Sequence, residues 1–288
     1  MIIATRRSKL ARTQAKLVSE IIEKKYGIKC FELLIETEGD KRLDIPLETI
    51  GGKGLFVKDI EYAILGKKAE IAVHSMKDVP YEIDERFELI AMPPREDPRD
   101  VFISRSGLKF SQLLAGAKIG TGSKRRAGQI KMLREDIELV PIRGNVQTRI
   151  KKMTEQNLDG IILAAAGLKR LGLESLITNY FTVDEMVPAI GQGALGIEIL
   201  KENIEVRNLI ELDDRETRIC VEAERSFMRT LKGGCHTCIG AYAKIQGSTI
   251  TMIGIFPING KIIKKSITGN IDKPIKLGKD LAEKILEG

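Results

Sequence analysis

Lys118-Ile119-Gly120-Thr121-Gly122-Ser123-Lys124-Arg125-Arg126 runs from a short apolar strand through a glycine-bordered turn into the start of a helix. Ile142-Arg143-Gly144-Asn145-Val146-Gln147-Thr148-Arg149 does the same after the apolar run at 137–141. Strands that feed helices in succession imply an α/β layer structure, a mostly parallel sheet covered by helices. Loops of this kind open at the carboxyl ends of strands, where such sheets bind ligands. Backbone N–H groups at a helix start, with arginine forks beside them, favour an anion carrying several acidic groups. The alternative is a pair of solvated helix starts with surface arginines.

The rhythm extends in both directions. Residues 2–5 read as a strand, and Ser8 caps a helix to about Tyr26, with Leu10, Leu17, Ile21 and Ile22 on one face and Gly27 as its stop. Residues 31–36, 70–74 and 89–92 are strand-like, and 55–65 has helical spacing. Pro93-Pro94-Arg95-Glu96-Asp97-Pro98 is a stiff junction. Beyond it strands are predicted at 101–104, 118–121, 137–141 and 160–164, with helices at 123–134, 145–156 and 167–171. Residues 195–199 are strand-like again and can return to the first sheet. The last part changes character. A long helix over 213–231 leads into Gly233-Gly234-Cys235, then three strand-like stretches at 240–246, 249–257 and 261–268, an Asn259-Gly260 hairpin turn, and a helix over 275–286. The expected division is a first α/β lobe of residues 1–93 plus 194–211, a second over 99–187, and a C-terminal α+β domain over 212–288. Residues 38–54 read equally as a lid or an ordered loop.

Composition narrows the partners. The net charge of +7 suits an acidic ligand or nucleic acid, but aromatics are 5% with no Trp, which leaves little for base stacking, and 40 acidic residues break up any basic tail. Nucleic acid is therefore not expected. No apolar run approaches the roughly 18 residues of a membrane span, and the start of the chain enters strand-like sequence without a leader. These features predict a cytoplasmic protein with no membrane partner, its four cysteines reduced.

Several familiar signatures fail. Gly120-x-Gly122-x-x-Arg125 lacks the third glycine of a dinucleotide fingerprint, Gly51-Gly52-Lys53-Gly54 lacks the spacing of a P-loop, and no Gly-x-Ser-x-Gly elbow occurs. Cys235-His236-Thr237-Cys238 is a lone C-x-x-C without a second pair, so no metal is expected. A redox pair, two turn cysteines, or a nucleophilic thiol on a glycine-rich loop all remain open for it. Ala72-Val73-His74-Ser75-Met76-Lys77-Asp78 places Ser, Lys and Asp at the end of a strand. Asp78 is a candidate acid/base or stabiliser of a cation, against a reading as half of a Lys77–Asp78 surface pair. His74 reads as a packed core residue.

With these residues in view, the chain resembles the hydroxymethylbilane synthase (porphobilinogen deaminase) family. The resemblance rests on ordered blocks along nearly the whole length: 4–11, Thr37-Glu38-Gly39-Asp40, 51–58, 73–80, 95–100, 120–126, 142–149, 164–168, 187–198 and Gly233-Gly234-Cys235. It implies two lobes like those of periplasmic binding proteins, with mostly parallel sheets, plus a small C-terminal α+β domain. It implies a transferase that joins four porphobilinogen molecules head to tail with loss of ammonia, on a covalent dipyrromethane primer, and then hydrolyses the product to hydroxymethylbilane for tetrapyrrole biosynthesis. By the same resemblance Cys235 carries the dipyrromethane as a thioether and Asp78 is catalytic. Arg6, Ser8, Lys53, Phe56, Ser75, Lys77, Thr121, Ser123, Arg125, Arg126, Arg143, Arg149 and Gln192 fall on substrate- and cofactor-binding positions, and the protein is expected to be a monomer. The chemistry fits, because a chain of acetate- and propionate-bearing pyrroles accumulates carboxylates that need fixed cations. Gly122 stands where the family commonly has Ser, and Thr237-Cys238-Ile239-Gly240 where it usually has Val-Pro-Ile-Gly. A Cys235–Cys238 disulfide would block attachment. The competing class is a two-lobed binding protein for an acidic solute, without catalysis.

Overall fold

Five strands build the sheet of the first unit, Met1–Glu96 with Ala194–Arg218: β1 (Ile2–Arg6), β2 (Phe31–Ile35), β3 (Ile71–Ser75), β4 (Phe87–Ala91) and β10 (Leu195–Leu200). Their order is β2-β1-β3-β10-β4. β1 pairs in parallel with β2 and β3, and β10, the expected returning strand, runs antiparallel between β3 and β4. The computed structural model describes residues 1–41, 54, 57–233 and 237–287.

Helix α1 (Lys9–Tyr26) begins where the Ser8 hydroxyl accepts from the Ala11 N–H and ends at Gly27, whose φ of 69° suits a residue without Cβ. Its buried face is Gln14, Ala15, Val18 and Ile22, packed with Ile3, Ile71, Val73 and Ile197. Leu17 and Ile21 are each 38% exposed, so the helix is rotated from the expected face. Small residues let it lie close to the sheet, while the larger ones flank the contact. After the short helix α2 (Glu38–Lys41), α3 (Lys58–Leu65) covers the opposite face with Ile60, Ala63 and Ile64 against Ala4 and Ala72.

The second unit, Asp97–Gly193 with Ile219–Gly288, contains another five-stranded sheet, of β5 (Asp100–Ser104), β6 (Lys118–Gly120), β7 (Glu138–Val140), β8 (Gly160–Ala164) and β9 (Asn179–Tyr180), in the order β7-β6-β8-β5-β9. β6 pairs in parallel with β7 and β8, whereas β5 is antiparallel to β8 and β9. At two residues, β9 is too short to carry a sequence period. Helices α4 (Lys124–Leu133), α5 (Val146–Glu155) and α6 (Ala165–Arg170) follow β6, β7 and β8. Phe102, Ile119, Ile130 and Ile162 form the core on one face, and Val101, Ile103, Ile142 and Ile161 on the other.

The same unit holds most of α7 (Arg215–Thr230) and the antiparallel meander β11 (Gly240–Gln246), β12 (Thr249–Ile258) and β13 (Lys261–Asn270), closed by α8 (Pro274–Leu286). Asn259 and Gly260 both have positive φ, at 49° and 79°, as the predicted hairpin turn requires. Glu224 on α7 is fully buried and accepts from the Gly191 N–H at 2.7 Å and the Ala243 N–H at 3.0 Å, tying the meander to the segment before β10. Among the described residues, no helix is long and apolar enough to cross a membrane.

Candidate active site

In the first unit β1 and β3 run parallel, so Arg6 and Ser75 end their strands on one edge of the sheet. A 3-10 turn, Met76–Asp78, carries Asp78 just beyond that edge. Arg6, Ser8, Gln14, His74, Ser75 and Asp78 line one cavity of about 60 Å³. The Ser8 hydroxyl also caps α1. Ser75 Oγ lies 2.8 Å from Gln14 Nε2 and 3.2 Å from Gln14 Oε1, so the buried glutamine fixes the serine. Asp78 and Lys77 are half-buried. Among the described residues Asp78 makes no hydrogen bond or ion pair, so the Lys77–Asp78 pair is not formed. His74 is buried, as its strand position predicts, but its Nε2 lies 2.9 Å from Oε2 of a fully buried Glu198.

In the second unit the parallel pairing of β6 with β7 and β8 brings the two arginine loops to one edge. β5 runs the other way, and Asp100 pairs with Ala164, which sets the start of β5 on that edge too. Thr121 is buried, its Oγ1 accepting from the Ser123 N–H at 3.2 Å, and Ser123 caps α4. A Cβ on Gly122 would stand 2.6 Å from the Ile142 carbonyl oxygen. A serine there would force the two loops apart, which gives a physical reason for the glycine in this chain.

Arg125 and Arg126, expected beside an anion, are held by a carboxylate of the chain itself. Both are buried, at 4% and 5% exposure, and turn onto the fully buried Asp100. Arg125 Nη1 donates to Asp100 Oδ2 and to the Val187 carbonyl, both at 2.6 Å. Arg126 donates to Asp100 Oδ1 from Nε at 3.0 Å and Nη2 at 2.8 Å, and from Nη1 to the Ile162 carbonyl. A buried carboxylate attracts guanidinium more strongly than solvent does. Burial alone would raise the Asp100 carboxyl, but the two guanidiniums outweigh it and hold the group down at about 2. Burial pushes the Arg126 guanidinium down, against the pull of Asp100. Gln192 is also buried, its Nε2 donating to the Pro98 carbonyl at 2.6 Å and to Asp100 Oδ1 at 3.2 Å. Arg143 and Arg149 are half-buried, and Arg149 Nε folds back onto the Gly144 carbonyl at 2.7 Å.

Lys53, Phe56 and Cys235 lie outside the described residues. A Cβ on Gly240 would meet the Pro188 carbonyl at 2.7 Å and Arg125 Cδ at 3.0 Å, so the start of β11 is seated against Arg125. Cys238 Sγ lies 3.9 Å from the Arg125 carbonyl, and burial pushes its thiol up while Arg125 opposes this. The described cysteines, Cys30, Cys220 and Cys238, are all free thiols.

Sequence reading passed over four contributors: Gln14, Asp100, Glu198 and Arg170, whose Nη2 donates to the Gly193 carbonyl at 2.7 Å. Gln14 left a trace, a polar residue beside Ala15 on the buried stripe of α1. Asp100 lies in the 95–100 block, where nothing in the linear chain marks Arg125 or Arg126 as its partners.

The family model described as "Porphobilinogen deaminase, dipyromethane cofactor binding domain" matches residues 1–208, and the one described as "Porphobilinogen deaminase, C-terminal domain" matches residues 218–287. Porphobilinogen deaminase of Clostridium acetobutylicum is 59% identical over 99% of this chain and 98% of its own length. The protein of that name from Clostridium botulinum (strain Langeland) is 60% identical over 99% of both chains. Among solved structures, the methionine-binding protein MetQ aligns at 8% identity with a TM-score of 0.48, over 74% of this chain and 89% of that one.

Proposed function

The chain belongs to the porphobilinogen deaminase family, and from that premise we infer that Asp78 is the reacting carboxylate, served by Arg6, Ser8, Ser75 and Lys77. The protein is a transferase, hydroxymethylbilane synthase, which condenses four porphobilinogen molecules head to tail, releases ammonia, and frees hydroxymethylbilane by hydrolysis. One observation carries the reading of Asp78: it is a half-buried carboxylate at the ligand-binding edge of an α/β sheet, and no described side chain neutralises it. When the aminomethyl group of porphobilinogen loses ammonia, positive charge spreads over the ring. A fixed carboxylate beside the ring N–H stabilises that charge, and partial burial strengthens the attraction.

The dipyrromethane cofactor supplies, when bound, a covalently held acceptor pyrrole. The residues of the second unit fit such a group. Asp100 presets the orientation of Arg125 and Arg126, and the guanidinium N–H groups not given to Asp100, Val187 or Ile162 are available to its carboxylates. Thr121, Ser123, Arg143, Arg149 and Gln192 belong to the same unit and extend that cradle, and we assign Lys53 and Phe56 to the pocket on the resemblance alone. On the resemblance of Gly233-Gly234-Cys235 to the family's cofactor loop, we assign attachment to Cys235. A thiol that must stay reduced to form a thioether suits the cytoplasm, where we place the enzyme as a monomer.

Intact-mass measurement tests attachment. The protein is expected to be heavier than its sequence by one dipyrromethane, and Cys235→Ala to have the bare mass. An unmodified mass for active wild-type protein would overturn the covalent reading. Pretreating the apo-protein with oxidant is expected to slow cofactor uptake through a Cys235–Cys238 bridge, and equal uptake by oxidised and reduced protein would sink that idea.

A further inference from the structure

Helix α3 covers a buried acid–base cluster that the reading above leaves unused. His74 on β3 and Glu198 on β10 lie on the sheet face that α3 packs against, with Nε2 and Oε2 2.9 Å apart. The other oxygen, Glu198 Oε1, is buried with no hydrogen-bond partner among the described residues. A buried orphan acceptor is costly, so this oxygen is open to a proton or a water. Glu61 is half-buried on α3, the helix that covers the sheet face carrying His74 and Glu198. Burial first, then Glu198, push its carboxyl up to about 7, with Asp84 adding to the rise and His74 and Lys58 opposing it. The cluster spans two cavities. His74 shares the 60 Å³ cavity with Asp78, while Glu61 lines another of about 290 Å³ together with Lys58, Glu82, Asp84 and Arg86.

The reaction needs such a cluster. In each addition the C–N bond of porphobilinogen, whose amine reacts as its ammonium, breaks, and its electron pair leaves with nitrogen as neutral ammonia. A C–C bond forms to the acceptor α-carbon, whose hydrogen departs as a proton while its bonding pair restores the aromatic ring. One proton per turn must therefore leave a pocket whose only described acid is Asp78. We propose that His74, held by Glu198, takes this proton from the Asp78 pocket and that Glu61 passes it to the outer cavity. The shared cavity has room for a bridging water, and the Glu198 carboxylate stabilises the imidazolium that forms. The proposal rests on Asp78 being the reacting carboxylate.

The test uses holoenzyme carrying His74→Gln, Glu198→Gln or Glu61→Gln, with kcat and KM measured between about pH 6 and 9 and cofactor content followed by intact mass. For His74→Gln the cofactor mass is retained, KM stays within about 2-fold, and kcat at neutral pH falls on the order of 100-fold, recovering as hydroxide rises. Glu61→Gln, at a half-exposed site that does not endanger folding, lowers kcat several-fold and removes the inflection of its pH profile near neutrality. Wild-type kcat in His74→Gln, or an unchanged profile in Glu61→Gln, overturns the relay. So does loss of turnover in His74→Gln that merely parallels loss of cofactor mass. If the buried variants do not fold, the Glu61→Gln profile decides. Asp78→Asn separates the two readings: a normal rate there sinks the Asp78 assignment, whereas a dead Asp78→Asn beside a normal His74→Gln sinks only the relay.

Discussion

Asp78→Asn leaves a folded, cofactor-bearing protein whose kcat is lower by about two to four orders of magnitude, with KM changed little. The size follows from the role: a positioned acid/base or charge-stabilising group contributes about 10²- to 10⁴-fold. The split follows from when the group acts. Its charge matters most as positive charge develops on the departing substrate, so its loss falls on kcat rather than on ground-state binding. Stability changes little, because asparagine keeps the shape and no described partner of Asp78 is stranded. Steady-state kinetics with intact mass and thermal melting checks all three points. A near-normal kcat removes Asp78 from the mechanism. Loss of the cofactor along with the rate makes it a cofactor-holding residue instead.

Asp100→Asn has its largest effect on folding. The fully buried carboxylate accepts from Arg125, Arg126 and Gln192. Removing its charge leaves two guanidiniums buried without a counter-ion, a defect of about 3–5 kcal/mol. For a protein of this size that lowers the melting temperature on the order of 10 °C. The pH dependence has a definite sign. The folded carboxyl is held down at about 2, below its ordinary 3.8. Its contribution is complete above the ordinary value and is lost as pH falls through about 2, because protonation removes the negative charge that the arginines need. Wild-type stability therefore declines across that acid window, and this part of the decline is missing from Asp100→Asn. An unchanged melting temperature would mean that the guanidiniums do not depend on Asp100. Cofactor content is expected to fall as well, since Asp100 orients Arg125 and Arg126.

Strands, caps and turns were readable because their causes are local. Ser8 reaches the Ala11 N–H three residues on, Gly27 ends α1 with its own φ, and Asn259-Gly260 turns the hairpin within itself. The edge at which each candidate residue emerges was also readable, because ligands collect at carboxyl ends of strands and Asp78, Thr121 and Arg143 follow β3, β6 and β7. The motif blocks carried the family. The rotation of α1 was not readable, since Leu17 and Ile21 fit a helical stripe as well as Ala15 and Val18 do. Which apolar stripe is buried depends on how closely the helix can approach the sheet.

The sequence therefore set the periodic elements and the kind of chemistry, through interactions that span a few residues. Strand order set the electrostatics. Arg125 meets Asp100 across 25 positions, Gln14 meets Ser75 across 61, and His74 meets Glu198 across 124. Neither partner of such a pair marks the other in the linear chain. Each pair exists because parallel and antiparallel strands bring distant side chains to one edge or face, where a low dielectric makes opposite charges seek each other. For that reason the arginines read as forks for an anion meet a buried carboxylate of the chain, and a histidine read as plain core has a buried carboxylate as its partner.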